Sequence, residues 1–474
     1  MLSMKLRKTL DWKTSNIYLL LAIIIGAILR FYKLGAQSFW LDEILSITQA
    51  RLEYYDPVHP PLSFLILRIF LETLGTSEFV ARLPACLFGI ATVPLIYVFG
   101  EHLFGEKEGI VASFIIALSP WYIRWSQETR MYTQLTVFTI LALYFFCLAT
   151  YKNTITFYVL SAIFMTLAFY THYSAVFILG IIVFWLNTKR FFERKRSEIN
   201  SKHLLIFFGV LCISCVPLFF THIPHAIAIK LGGEDPRWGA PSIGYFIFKL
   251  FSNEIGPLLS LFSILGAVLI VLKRNNAGIL LILYAGIPLL TFSLLISWMN
   301  VSLHYLLFTL PAYALLSSYL IVEIVEKIKE SDLDKELHVK VIKSVQINTL
   351  LSIEVMLVIL LGIHNLPYLY YYYSYGEHPD WKAACSFVES QLDPEDVVVS
   401  TRIETVEYYL GRVDYKLSEE NFVEIKNSQR RVWLLIDEWR IDAIDPDHVI
   451  RDWLTFNCTL MFQDRLIEVY LFRL

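Results

Sequence analysis

QSFWLDEILSITQARLEYYDPVHPP, residues 37–61, lies just beyond an apolar run, Ile17–Leu29, that is introduced by Lys5, Arg7, Lys8 and Lys13. The stretch sets Asp42 and Glu43 side by side among Phe39, Trp40, Tyr54 and Tyr55, then places Asp56 and His59 before two prolines. Adjacent carboxylates at the water edge of a membrane are costly unless they bind or deprotonate something. The pattern predicts a first membrane helix that delivers an acidic loop. The rest of the chain then carries, positions or feeds that loop.

Composition supports the membrane reading. The chain has 474 residues, 56% hydrophobic and 18% charged, whereas soluble domains average about 45–50% apolar and about 25% charged. A net charge of −3 and the lack of a basic tail exclude a general nucleic-acid binder. The 34 Phe and 27 Tyr suit interfacial belts and the lining for an amphipathic ligand. Cys86, Cys147, Cys212 and Cys215 fall in apolar segments, and the CxxC formed by the last two has no second pair or histidine at zinc spacing. Cys385 and Cys458 fall in the C-terminal region, and their spacing leaves a disulfide open. Because the N-terminal run lacks a small-residue cleavage site and continues into RFYKLG, it reads as an uncleaved helix.

Spanning the hydrocarbon takes about 20 apolar residues. On that measure the sequence predicts about eleven transmembrane helices, near 15–34, 80–102, 108–120, 134–151, 154–170, 174–187, 203–221, 257–272, 277–298, 303–321 and 347–363. The run 61–74 is short and carries Arg68 and Glu72, so it is expected to lie on the membrane as an interfacial helix. Basic residues place the N-terminus and the loop NTKRFFERKRSEINSK (187–202) in the cytoplasm, and the parity of the spans agrees. From about 376 the composition becomes that of a small α/β domain outside the membrane, with strands near 396–400 and 431–438 and helices near 404–410 and 447–455. The expected organisation is a membrane domain, 1–364, with its catalytic first outer loop at 35–79, followed by a soluble domain, 365–474.

Asp42 and Glu43 lie between WL and ILSI, an apolar setting in which an acid held partly out of water makes a better general base. The alternative is a pair of solvated acids at the start of a short helix. His59 is fixed in place by the prolines after it. SPWYIRWSQETRMY (119–132) holds Arg124, Gln127, Glu128, Arg130 and Tyr132 at an outer helix end, where positive charge wants an anionic partner. That partner is either Glu128 or a bound phosphate, and Arg82 poses the same choice. His172 in THYS, and His304 and Tyr305 in HYLLFTLP, would add hydrogen-bond donors to the same side or serve as interface anchors.

RFYKLGAQSFWLDE (30–43), HPPL (59–62), ARLPACLFGIATVPLIY (81–97) and SPWYIRWSQETRMY, in this order and spacing, resemble the membrane glycosyltransferases of family 39. These include protein O-mannosyltransferase-like and lipid A aminoarabinose-transferase-like enzymes of the GT-C fold. HYLLFTLP and PDWKAACSFVESQLDPEDVVVS (379–400) extend the resemblance toward the C-terminus. It implies inverting transfer of a monosaccharide from a polyprenyl-phosphate-linked donor to a lipid, glycan or protein hydroxyl at the outer face. It further implies Asp42 as general base, Glu43 as its supporting acid, His59 in the first-loop site, and Arg82 and Arg130 on the phosphate. Many relatives carry Arg where this chain has His304. No complete acidic metal set is present, so no cofactor is obligatory, although a divalent cation is not excluded. The competing readings are a transporter or flippase of lipid-linked sugars, and a non-catalytic scaffold. Charges gathered at one face and the lack of an inverted repeat favour the enzyme.

Overall fold

The computed structural model describes residues 12–53, 59–192, 200–232, 242–296, 301–330, 354, 358–360 and 362–473. Asp56 with Tyr54 and Tyr55, the basic stretch 193–199 and most of the expected helix at 347–363 lie outside the described residues. The chain forms two compact units. One comprises Met1–Tyr32, Asp56–Ile66 and Leu83–Leu369, and the other Lys33–Tyr55, Leu67–Arg82 and Tyr370–Leu474.

Helices follow one another as α1 (Trp12–Phe31), α2 (Leu41–Ala50), α3 (Leu62–Leu74), α4 (Glu78–Leu103), α5 (Glu106–Leu118), α6 (Pro120–Ser126), α7 (Tyr132–Lys152) and α8 (Ile155–Thr171). They continue as α9 (Val176–Phe192), α10 (Ser201–Thr221), α11 (Ile223–Gly232), α12 (Ile243–Lys249), α13 (Pro257–Leu272), α14 (Asn276–Leu295) and α15 (Leu310–Glu330). On α10, Phe220, Ile213 and Leu205 are 79%, 75% and 73% exposed. A row of large apolar side chains bared to this extent faces lipid. The protein is an integral membrane protein.

Among the described residues, α4, α7, α10, α14 and the stretch Leu303–Lys327 are long and apolar enough to cross a membrane. A sixth span results if α12 and its following π turn count with α13, to which they are bent by 107°. These helices do not reproduce the finer count of eleven. With 13 residues, α5 rises only about 20 Å, against about 30 Å of hydrocarbon. Its Ile110–Ala117 segment is buried, and it packs between α1 and α15 as an inner helix. Between the expected spans 203–221 and 257–272, where the sequence predicts an outer loop, the described residues include the helices α11 and α12. At Gly266 a Cβ would stand 2.1 Å from the Leu316 carbonyl oxygen, so only glycine lets α13 and α15 approach this closely.

In the second unit five strands, β1 (Val397–Ser400), β2 (Tyr415–Lys416), β3 (Val432–Asp437), β4 (Cys458–Asp464) and β5 (Ile467–Phe472), form one sheet in the order β2-β1-β3-β5-β4. The pairs β1–β2 and β1–β3 are parallel, and β5 runs antiparallel to β3 and β4. Every residue of β3, VWLLID, is buried, as a strand covered on both faces requires. Trp381, Val398, Trp433 and Val469 fill one face, and Val399, Phe422, Leu434 and Leu454 the other. The strands expected near 396–400 and 431–438 are present; the two-residue β2 and the helix Glu419–Lys426 had no sequence expectation. Cys385 and Cys458 are both free thiols. Residues 33–55, with Asp42 and Glu43, belong to the same compact unit as the C-terminal sheet, and His59 belongs to the other.

Candidate active site

The acidic loop is organised by one arginine. Glu43 is fully buried in the first turn of α2, and Arg82 is 3% exposed. Arg82 Nε and Nη2 donate to Glu43 Oε1 and Oε2, both at 2.8 Å. Nη1 donates to the carbonyls of Leu34 (3.2 Å) and Gln37 (2.9 Å), and Nη2 also to that of Ser38 (3.1 Å). The guanidinium lies over the Phe39 ring, 5.3 Å from its centre. A guanidinium has five N–H donors, and these contacts occupy every one. Arg82 was expected on a phosphate; its geometry makes it the clamp that shapes residues 34–43.

Asp42 precedes Glu43 in the first turn of α2 and is only half-buried. Two carboxylates there complement the positive end of the helix dipole. The Asp42 carbonyl accepts from Ser46 Oγ at 2.7 Å. Glu43 is thus committed to structure, and the adjacent acid is the one that retains exposure.

The membrane unit gathers a second group of expected site residues from four places in the chain. Tyr132, at the start of α7, stands 4.8 Å from His304, 5.9 Å from His172 and 6.3 Å from Tyr305, ring centre to ring centre. His172 lies 5.3 Å from Tyr305 and 6.1 Å from His59. Trp125, which the sequence reading did not single out, closes the cluster at 4.6 Å from His304 and 4.9 Å from Tyr132. Arg130, partly exposed, is 5.9 Å from the Tyr132 ring centre, and Arg124 Nε lies 3.6 Å from Glu128 Oε1. The Ser174 backbone N–H donates to His172 Nδ1 at 3.1 Å. That nitrogen is therefore an acceptor, and the ring proton sits on Nε2. Burial above all, with the Arg130 charge behind it, pushes the His172 pKa down to about 3.

Gln127 serves this region differently from the expectation of substrate contact. Its Nε2 donates to the carbonyls of Arg30 (2.8 Å) and Tyr32 (2.7 Å) and so caps the end of α1. Arg30, fully buried and missed by sequence reasoning, answers it. Its Nη2 donates to Ile116 O at 2.9 Å, Nη1 to Ala117 O at 3.2 Å, and Nε to Ser126 Oγ at 3.2 Å, which caps α5. This reciprocal clasp fixes the 119–132 segment that carries Arg124, Arg130 and Tyr132. Gly89 belongs to it, because a Cβ there would stand 2.2 Å from Ser126 Oγ. Among the described residues no group of three or more His, Cys, Asp or Glu could hold a metal ion.

Residues 58–219 match the family described as dolichyl-phosphate-mannose-protein mannosyltransferase. The chain is similar to the family-39 membrane glycosyltransferases. The matched segment holds His59, Arg82, Gln127, Arg130, Tyr132 and His172, and ends short of His304 and Tyr305; Asp42 and Glu43 precede it. Comparison with curated proteins gives no match. Among solved structures, ArnT from Cupriavidus metallidurans in the apo state has the same fold, with a TM-score of 0.65 and 13% identity over 97% of this chain and 98% of that one. The same protein bound to undecaprenyl phosphate gives 0.61 at 13% identity over 96% and 98%. The archaeal oligosaccharyltransferase AglB from Archaeoglobus fulgidus, in complex with an inhibitory peptide and a dolichol-phosphate, gives 0.60 at 11% identity over 97% and 74%. The likeness of fold to ArnT and AglB extends over nearly the whole chain.

Proposed function

We propose that the protein transfers a monosaccharide from a polyprenyl-phosphate-linked donor to a hydroxyl acceptor at the outer membrane face, with inversion, and that Asp42 is the general base. The observation that carries the proposal is the division of roles within the acidic pair. Glu43 is buried and held at two points by Arg82, while Asp42 beside it keeps exposure. A buried ion pair of this geometry holds its neighbours in register, and the remaining acid is then positioned to take a proton.

In the reaction, Asp42 accepts the proton of the acceptor hydroxyl as that oxygen bonds to the sugar's anomeric carbon. The anomeric carbon–oxygen bond to phosphate breaks, and the electron pair leaves with polyprenyl phosphate. A single displacement inverts the anomeric centre. The phosphate is already a good leaving group, so a cation is needed only for its growing charge. The family resemblance assigns that role to Arg130. Arg82 and Glu43 position Asp42. Lipid phosphates named with the similarly folded ArnT and AglB structures support a polyprenyl carrier. The N-terminus is assigned to the cytoplasm and the C-terminal domain to the outside by the basic loops. The acceptor is a lipid, a glycan or a protein.

The test is transfer by the purified protein of radiolabelled sugar from polyprenyl-phosphate donors to a panel of acceptors. Label should appear on one acceptor class with inverted anomeric configuration. Label that crosses a proteoliposome membrane with its phosphate bond intact would identify a flippase instead.

A further inference from the structure

Five residues ahead of α2, Lys33 and the run Gln37–Trp40, are held by the C-terminal segment of the same compact unit. Lys33 Nζ donates to Tyr373 O at 2.9 Å, and Gln37 Nε2 reaches Tyr372 O at 3.4 Å. Ser38 Oγ donates to Pro379 O at 2.9 Å and accepts from the Trp381 backbone N–H at 3.1 Å. The Phe39 backbone N–H donates to the Tyr409 hydroxyl at 2.6 Å, and Trp40 stacks on His378 at 4.6 Å with an 8° interplanar angle. The residue after Trp40 opens α2, whose first turn carries Asp42.

Tyr409 is the node of this arrangement. It sits on the helix Ile403–Leu410, directly after β1. Its hydroxyl accepts from Phe39 and can donate to Glu78 Oε1 at 3.4 Å; the same oxygen takes Lys382 Nζ at 2.9 Å. Tyr408 meets the Phe39 ring edge-on at 5.7 Å. Glu78 opens α4, the helix that carries Arg82. Tyr409 therefore reaches, through one hydroxyl, both the loop before Asp42 and the first turn of the helix whose arginine clamps Glu43. Burial pushes its phenol pKa up, so it remains protonated and keeps its donor.

We infer that the C-terminal domain is a working part of the catalytic loop, and that Tyr409 is a positioning residue which sets the geometry of Asp42 through the Phe39 amide and Glu78. This rests on the reading of Asp42 as the general base. The domain's Pro379–Trp381 turn acts beside it by gripping Ser38. A base displaced by about 1 Å can lose about a hundredfold in rate, and a hydroxyl that holds the amide two residues before the helix start has that leverage.

The experiment compares full-length wild type, Tyr409→Phe, Asp42→Asn and the double variant in the sugar-transfer assay, with thermal unfolding measured alongside. Tyr409→Phe should lower kcat about tenfold or more, with little change in the KM for donor and a melting temperature near wild type. In the Asp42→Asn background it should have no further effect, because a residue that acts only through Asp42 has nothing left to position. A Tyr409→Phe enzyme at wild-type rate, or one whose effect multiplies with Asp42→Asn, overturns the inference while leaving Asp42 as the base. An Asp42→Asn enzyme at full rate overturns both, so the two failures are distinguishable.

Discussion

At the residue scale, Arg82 and Glu43 make the sharpest stability prediction. Removing one partner of a buried pair leaves the other charge uncompensated, which costs about 3–5 kcal/mol. Arg82→Ala should therefore unfold at markedly lower temperature. Arg82→Lys should restore only part of the loss, because an ammonium has three donors and the site presents acceptors on Glu43, Leu34, Gln37 and Ser38. Melting curves in detergent measure both. His172 gives a pH prediction. Its folded pKa is pushed below the unfolded value of about 6.5, so between about 3 and 6.5 the unfolded chain binds a proton that the folded chain does not. Its stability contribution is complete above pH 6.5 and is lost as pH falls below it. Arg130, His59, His304, Tyr132 and Tyr305 face the ring, and the comparison must isolate it from them. A His172→Gln variant should lose less melting temperature between pH 7 and pH 5 than wild type does. The Asp42–Glu43 pair was legible in the sequence as a candidate site, but the different burial of the two acids was not. Nor was the partner of Arg82, because an outer arginine read without its contacts looks like an unpaired cation.

At the element scale, the clasp between α1, α5 and α6 decides where the 119–132 segment stands. Gly89→Ala places a methyl against Ser126, and the fit between α4 and α6 must open. The variant should melt lower and lose transfer activity, and Ser126→Gly in the same chain should recover part of both. Unchanged melting in Gly89→Ala would mean that α6 is not held as described. Sequence periodicity found most of these helices because apolar runs report burial or lipid contact. It could not tell the short inner helix α5 from a span, since a segment buried by protein and one bathed in lipid are equally apolar. The helices within 222–254 were missed for a related reason: Pro224, Gly232, Gly233 and Pro236 read as loop punctuation.

At the scale of the whole molecule, the partition of the chain puts residues 33–55 and the C-terminal sheet in one compact unit. A chain ending at residue 376 loses the grips on Ser38, Phe39 and Trp40. It should insert into membranes yet show no transfer, whereas a domain that merely decorates the enzyme would be dispensable. The orientation is tested separately: a Lys189→Cys variant should react with an impermeant label only from the cytoplasmic side. The α/β character of the tail was legible from its alternating strands and amphipathic helices. Its union with residues 33–55 was not, because contacts such as that between Phe39 and Tyr409 join segments hundreds of residues apart and leave no local pattern. The central claim is that Asp42 removes the proton from the acceptor hydroxyl, and the rate of Asp42→Asn tests it most directly. Loss of a general base costs about a hundred- to ten-thousand-fold. The account predicts a kcat lower by that order, with donor binding and melting temperature retained. Transfer by Asp42→Asn at the wild-type rate would contradict it.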